Sequence, residues 1–281
     1  MSSIGPVMVG SYDYRLVALS VVIAMLASYA ALDIAGRLTA ARGGARFLWL
    51  FGGAAAMGIG IWSMHYIGML AFRLPVPIQY DWPTVLVSLV AAILASAIAL
   101  FVVSRKKMGL MRAIVGSVFM GSGIAGMHYI GMAAMRLPAT CQFSWALITI
   151  SVILAIVISF VAIWLAFYFQ GETRSGGWRK ALSAVVMGVG IPVMHYTGMA
   201  AARFSPSVSA GGNLSHALSI SSLGMTSIIV ATFMTLGLTV LTSLAASRHK
   251  PWSSNPTRRS LERFLRRHWM YLSGWIRAEQ S

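Results

Sequence analysis

Charged residues and cysteine are scarce in this chain, and their scarcity excludes several classes of protein. Of 281 residues, only 10% are charged and 58% are hydrophobic. Soluble domains carry about a quarter charged residues, so a soluble globular fold is excluded. Cys141 is the only cysteine, which excludes an internal disulfide and a cysteine metal cluster. Regular alternation of apolar and polar residues is also lacking, which argues against strands as membrane-spanning elements.

Long apolar runs are what the sequence has instead. Runs of about 20 residues recur along the chain, and this is the length that a helix needs to cross the hydrocarbon layer. We therefore predict an all-α membrane protein with seven transmembrane helices, forming one domain over residues 10–247. The predicted spans are 13–36, 47–72, 84–104, 112–135, 145–169, 181–202 and 219–246.

The positive charge is unevenly distributed. The net charge is +16, and 18 of the 22 basic residues fall in alternate connections and in the tail. Because cytoplasmic loops of membrane proteins are enriched in Lys and Arg, this predicts an outer N-terminus and a cytoplasmic C-terminus. The same distribution argues against nucleic acid as a partner. The basic segments are 37–46, 104–112, 171–180 and the chain after residue 247.

One six-residue string occurs three times inside the apolar sequence. Met64–Met69 reads MHYIGM, Met127–Met132 repeats it, and Met194–Met199 reads MHYTGM. The histidines are 63 and 67 residues apart, so each repeat contains a pair of helices and keeps its orientation through the membrane. We expect three parallel two-helix repeats around a pseudo-threefold axis, plus one unpaired helix.

Histidine and methionine four residues apart lie on the same face of a helix. Imidazole and thioether, with no nearby carboxylate or thiolate, favour copper over magnesium, calcium or structural zinc. The alternative is that these residues only pack. Three copies at one depth favour a metal site, because an ionisable group inside a membrane usually has a function. The candidate ligands are His65, Met69, His128, Met132, His195 and Met199, with Met64, Met127 and Met194 as second candidates.

Other repeated residues flank the motif. The glycine seven positions before each histidine is expected to allow close helix packing. The motif tyrosine is expected to belong to a ring at the membrane interface, and the arginine eight positions after the histidine to contact headgroups. Met57, Met120 and Met187 would form a second ring two turns deeper, but on a helical wheel they lie about 80° from the histidine face.

The repeated strings resemble the MHYT family of bacterial integral membrane sensor domains, over about residues 10–247. Only Thr197 departs from the other two copies, at a variable position. The resemblance implies a sensory module of the bacterial inner membrane that binds copper near the outer face and senses O2, CO or NO. Many members are joined to cyclic-di-GMP enzymes or histidine kinases. Since no such sequence is visible here, a separate cytoplasmic signalling partner is implied.

We therefore expect a membrane sensor of a diatomic gas or of redox state, and not an enzyme. The alternative is a copper transporter or another membrane copper-handling protein, which would need a path inward from the motif. A membrane oxidoreductase with the metal as redox centre ranks last, because no second cofactor motif is visible.

The tail, residues 248–281, is predicted to be a basic amphipathic segment on the cytoplasmic side. Between 257 and 277, apolar residues recur at helical spacing and five arginines crowd the other side. This predicts a helix that lies on the inner leaflet or contacts a cytoplasmic partner.

A peptide of residues 257–277 tests this prediction. It should be disordered in water and helical on anionic vesicles, because anionic lipid attracts the arginines. Circular dichroism and vesicle co-sedimentation measure both properties. Equal helicity and binding on zwitterionic vesicles at high salt would contradict the role given to charge.

Overall fold

The structure is a computed structural model that describes residues 7–105, 109–168, 177–206, 216–230, 233–234 and 237. The chain divides into two compact units, Met1–Leu236 and Gly237–Ser281. The predicted tail at 248–281 lies outside the described residues, and everything below concerns the first unit.

Six helices in the described part of the chain are long and apolar enough to cross a membrane, and the predicted all-α membrane fold is confirmed. A seventh apolar helix, α7, covers Ile220–Val230. The rest of the predicted seventh span lies mostly outside the described residues. The six long helices are α1 (Tyr14–Ala40), α2 (Gly44–Ala71), α3 (Trp82–Val103), α4 (Leu110–Ala133), α5 (Trp145–Tyr168) and α6 (Gly177–Ala200).

The six long helices form a closed ring, because each packs against the next and α6 packs against α1. The even-numbered helices carry the motif and meet at the centre. The odd-numbered helices turn large apolar side chains outward, as Leu86, Val90 and Leu94 of α3 illustrate with exposures of 48%, 54% and 59%. In a bilayer these side chains would contact lipid. Their exposure is therefore explained without contact with water.

Two glycine levels bring each motif helix against both of its neighbours. A Cβ on Gly58 would lie 2.7 Å from the backbone of Ile93 in α3, and a Cβ on Gly60 would lie 2.5 Å from Ala27 in α1. The other repeats have the same contacts, so the expected close packing is confirmed. The equivalent pairs are Gly121 with Ile156, Gly188 with Met25, Gly123 with Ala95, and Gly190 with Ile158.

Short antiparallel ribbons close the motif end of each repeat, a feature that the sequence did not predict, and they are called the outer ribbons below after the predicted orientation. Within a repeat, the strand before the odd helix pairs with the strand after the even helix. A seventh strand, β7 (Ala217–Ser219), pairs with the first strand of the second repeat. The ribbons are β1 (Ser11–Tyr12) with β2 (Phe72–Arg73), β3 (Gln79–Asp81) with β4 (Met135–Arg136), and β5 (Ala139–Phe143) with β6 (Ala202–Pro206).

Arg73 and Arg136, two of the three arginines that follow the motif, form ion pairs, and the expected contact of these arginines with headgroups stays a prediction. Arg73 lies 2.7 Å from Asp13, and Arg136 lies 3.7 Å from Asp81. Both carboxylates also cap the helix that follows them. Hydrogen bonds from Thr84, together with the positive charge of Arg136, lower the pKa of Asp81. These residues therefore fix the ribbon to the helix ends.

Asp33 joins α1 to α6 near the end of the bundle that is remote from the motif. It pairs with Arg37, one turn further along α1, at 2.7 Å. Lys180 of α6 also reaches Asp33, at 2.5 Å. Because α1 and α6 are the first and last helices of the ring, this second pair strengthens the contact that closes it.

Substitution at the glycine levels should be costly where a helix backbone lies opposite. Gly121→Ala places a Cβ 2.6 Å from the Ile156 backbone, whereas Gly126 on the same helix has nothing within 4 Å. We expect Gly121→Ala to lower the free energy of unfolding by about 1–3 kcal/mol. Gly126→Ala should be neutral or stabilising by up to about 1 kcal/mol. Unfolding in one detergent measures both, and equal effects would contradict the packing explanation.

Candidate metal centre

Three histidine side chains meet at the centre of the bundle. His65 of α2, His128 of α4 and His195 of α6 are 0%, 0% and 1% exposed. Their Nδ1 atoms form a triangle with sides of 3.1, 3.2 and 3.2 Å. The structure thus brings together the three histidines that the sequence placed on one face of each repeat. This cluster is called the histidine triad below.

A closed ring of hydrogen bonds cannot hold the triad together. A neutral imidazole nitrogen carries either an N–H or a lone pair, so a single Nδ1 cannot both donate and accept. If two Nδ1 atoms are protonated, two N–H groups crowd one acceptor. If one Nδ1 is protonated, the other two still turn lone pairs toward each other. If none is protonated, three lone pairs converge. A cation that accepts the lone pairs removes this repulsion, which makes the triad a candidate metal centre.

The dimensions of the triangle suit a first-row transition metal. The point equidistant from the three Nδ1 atoms is about 1.8 Å from each, the side divided by the square root of three. Zinc–imidazole bonds measure about 2.0–2.1 Å, so the spacing of the three nitrogens is close to what an ion of this kind needs. Imidazole donors suit zinc, copper, iron and nickel. The residues present therefore fit the predicted copper, without selecting it.

The motif glycine makes room for the histidine of another repeat. A Cβ on Gly68 would lie 2.5 Å from Nε2 of His195, and Gly131 and Gly198 stand in the same relation to His65 and His128. Among the described residues, the three Nε2 atoms have no hydrogen-bond partner. Each motif therefore supplies one imidazole to the triad and one glycine against which the next imidazole rests.

The motif tyrosines point away from the triad, toward serines on the odd-numbered helices. Each of these serines donates its own hydroxyl hydrogen to the carbonyl three residues earlier, so the tyrosine O–H is the donor to the serine. Each tyrosine therefore makes a helix-to-helix contact, which is buried for Tyr66 and part-buried for Tyr129 and Tyr196. The pairs are Tyr66 with Ser88 at 3.4 Å, Tyr129 with Ser151 at 2.6 Å, and Tyr196 with Ser20 at 3.0 Å.

Aromatic residues of the outer ribbons cover the motif tyrosines. Tyr80 of β3 packs edge-on against Tyr66, with ring centroids 5.7 Å apart, and it is fully buried. Burial raises the pKa of Tyr80 well above its usual value, so this side chain stays neutral. Tyr12 and Phe143 occupy the same place over the other two repeats. One aromatic ring from the outer ribbons therefore packs on the motif tyrosine of each repeat.

The motif methionines are all buried, and their role as ligands stays a prediction. Exposure does not exceed 5% for any of the six. Burial fits both ligation and packing, so it does not decide between them. The six are Met64, Met69, Met127, Met132, Met194 and Met199.

The serines that hold the tyrosines were missed in the sequence, although a signal was present. Ser20, Ser88 and Ser151 are spaced by 68 and 63 residues, close to the spacing of the histidines. A second set, Ser28, Ser96 and Ser159, follows at the same intervals. Aligning the odd-numbered helices as well as the motif helices would have found both sets.

Comparison with known proteins defines the class to which the chain belongs. The family described as MHYT, bacterial signalling protein N-terminal repeat, matches residues 1–47, 58–116, 121–176 and 188–253. The chain belongs to this family of membrane signalling proteins, which confirms the resemblance. No solved structure matches it.

Individual relatives are named as signalling proteins. The chain is 47% identical to the bifunctional diguanylate cyclase/cyclic di-GMP phosphodiesterase MucR of Pseudomonas aeruginosa, over 70% of this chain and 29% of MucR. It is 38% identical to the signaling protein YkoW of Bacillus subtilis, over 72% and 26%. It is 39% identical to the cyclic di-GMP phosphodiesterase NbdA of P. aeruginosa, over 68% and 24%. The chain thus matches less than a third of each relative's length.

Because each motif glycine contacts an imidazole, substituting the glycine should disturb the triad although all three histidines remain. Gly131→Ala should displace the His65 imidazole, because its Cβ would collide with Nε2. We expect weaker metal binding with all three histidines present, measured by competition with a chromophoric chelator. Gly126→Ala, which meets nothing within 4 Å, is the control. Unchanged affinity in a folded Gly131→Ala protein would refute the supporting role of this glycine.

Proposed function

We propose that this chain is the membrane-embedded sensory module of a bacterial signalling system, that it binds copper at the histidine triad, and that it responds to a diatomic gas or to redox state. The observation that carries the proposal is the triangle of Nδ1 atoms 3.1–3.2 Å apart, which cannot form a closed ring of hydrogen bonds. Membership of a signalling family supports the sensory part.

In this proposal His65, His128 and His195 hold the ion through Nδ1. Met69, Met132 and Met199 are the proposed thioether ligands, and Met64, Met127 and Met194 are second candidates. A bound copper ion would supply redox chemistry and affinity for O2, CO or NO. The protein's own part is to hold three neutral imidazoles in register, to keep the tyrosines directed at the serines, and to screen the site with the outer aromatic layer.

The output is proposed to lie on the cytoplasmic side. MucR and NbdA are named for cyclic-di-GMP synthesis or hydrolysis, and the region they share with this chain is about a quarter of their length. We infer that the shared region is the non-enzymatic sensory part. The basic tail at 248–281 is the proposed contact with anionic lipid or with a cytoplasmic signalling partner.

A copper transporter is the second candidate, and one observation favours it. Two small cavities follow one another inward from the triad, between the same helices. Metal uptake by proteoliposomes separates the candidates, because a sensor binds copper without moving it across the bilayer.

If copper binds at the histidine triad, substitution of any one of the three histidines should weaken copper binding equally. Purified protein, loaded with copper and washed, should retain metal with a nitrogen-containing first shell. His65→Ala, His128→Ala and His195→Ala should each weaken binding to a similar extent, since the triad acts as one site. Metal stoichiometry and X-ray absorption measure this, with thermal unfolding in parallel.

Tyr129→Phe is the matched control, since it changes a half-buried residue of the same motif that is not a proposed ligand. It should cost about 1 kcal/mol of stability through the lost bond to Ser151, and it should lower copper binding less than any of the three His→Ala changes does. Wild-type protein that retains no transition metal would refute the metal site and leave the motif as a packing device.

The sole cysteine provides a test of the proposed orientation. Cys141 lies in β5, at the proposed outer end, and burial raises its pKa to about 11. Because the thiolate is the reactive form, alkylation should be slow near pH 8 and should accelerate as the pH approaches 11. A membrane-impermeant maleimide should label spheroplasts from outside. Labelling only in inverted vesicles would reverse the orientation.

A further inference from the structure

Two small cavities lie in the interior of the bundle, and the same three methionine side chains line both. Met57, Met120 and Met187 belong to α2, α4 and α6 and are 7%, 3% and 6% exposed. The first cavity is also lined by Ile61, and the second by Leu100. The three methionines therefore form a ring between the two cavities, called the thioether ring below.

The thioether ring lies inward of the histidine triad on the same three helices. Isoleucines four residues before each histidine line the first cavity, and the methionines come four residues before these isoleucines. On a straight helix this row drifts by about 40° per step. Rows spaced by four are inclined to the helix axis by about 26°, so helices tilted to the bundle axis can turn such a row toward it. This corrects the conclusion from the helical wheel that the methionines face elsewhere.

The first cavity contains a polar group without a partner. Ser159 is 1% exposed, lines the cavity, and has no hydrogen-bond partner among the described residues. Its counterpart Ser96 donates to the carbonyl of Ala92. A buried hydroxyl without a partner usually indicates an unseen water, ion or ligand. Each cavity has a volume of about 20 Å³, enough for one small occupant.

The chemistry of the ring selects the class of occupant. Thioether sulfur is a soft, uncharged donor that favours Cu(I) and related monovalent ions over hard cations. The three carboxylates in the described residues, Asp13, Asp33 and Asp81, are all paired with basic side chains at the helix ends. No described carboxylate is thus free to balance a divalent charge at the ring.

We propose that Met57, Met120 and Met187 form a second metal site, which binds a soft monovalent cation, Cu(I) in the cell, through three thioether sulfurs. The site is separate from the histidine triad and does not require the triad to hold metal. Binding is a ligand exchange without electron transfer. The ion arrives as Cu(I), loses the donors that carried it, and gains three sulfurs.

Silver tests the site, because Ag(I) is soft, monovalent and stable in air. Full-length protein in detergent is titrated with Ag(I), the bound metal is counted, and its first shell is measured by X-ray absorption at the silver edge. Wild-type protein should contain a class of Ag(I) with a sulfur-only shell. The triple variant Met57→Leu/Met120→Leu/Met187→Leu should lose that class, because Leu matches Met in volume but lacks the donor.

Two controls separate this site from other methionines and from the triad. Met111→Leu/Met225→Leu removes thioethers that are 74% and 64% exposed and should leave Ag(I) binding unchanged. His128→Ala should keep the sulfur-only class even where it removes metal from the triad. If metal binding at the triad is wrong, or if metal binding at the thioether ring is wrong, the variants therefore show different patterns of bound Ag(I).

If the triple variant does not fold, the single variant Met120→Leu replaces it. It should weaken the sulfur-only class at least about tenfold, because even changes outside the first shell cost about 10–100-fold. A wild-type protein without sulfur-only Ag(I), or a folded Met variant that keeps the class in full, would overturn the proposal and leave the cavity to a water molecule or to packing.

Discussion

Three imidazole nitrogens held about 3 Å apart in an apolar bundle are the arrangement on which the rest of this structure depends. Two Nδ1 atoms at that distance repel each other when both carry lone pairs. Three Nδ1 atoms cannot form a closed ring of hydrogen bonds, because a neutral Nδ1 cannot both donate and accept. Neighbouring packing must therefore hold them together. The three motif glycines, each against the imidazole of another repeat, and the aromatic layer above the tyrosines are the parts of the fold that do so.

The packing of the helices explains how that arrangement is maintained. Glycines at two levels bring every motif helix against both neighbours, where an added Cβ would meet backbone or a buried side chain. Tyrosine-to-serine hydrogen bonds then set the rotation of each motif helix about its own axis. Close approach controls the radius of the central site, and rotation controls the direction of each imidazole. Both are set in every repeat, so the triangle is nearly equilateral although the three sequences differ.

The sequence predicted the features that repetition and composition determine, namely the apolar spans, the threefold repeat and the shared face of the histidines. It did not predict features that depend on helix tilt or on short-range pairing. Met57, Met120 and Met187 were placed off the axis because a helical wheel treats helices as straight and parallel. The outer ribbons were missed because strands of two to five residues have too little periodicity to detect. The ion pair of Arg73 was missed because its partner Asp13 lies 60 residues away in sequence.

Charge links the two proposed sites. Every candidate donor on the axis is neutral, and the described carboxylates are engaged at the ends of the bundle. Transfer of a charge into such an interior is costly unless its ligands repay the lost hydration, and the cost grows steeply with the charge of the ion. Neutral donors in an apolar bundle therefore favour a monovalent ion over a divalent one. For the same reason, a change in the charge of a bound ion would alter the energy of the whole central packing. A sensor of redox state, or of a gas that binds to the metal, needs the packing energy to depend on the charge of the ion in this way. Carboxylates that balanced the charge of the ion would weaken this dependence.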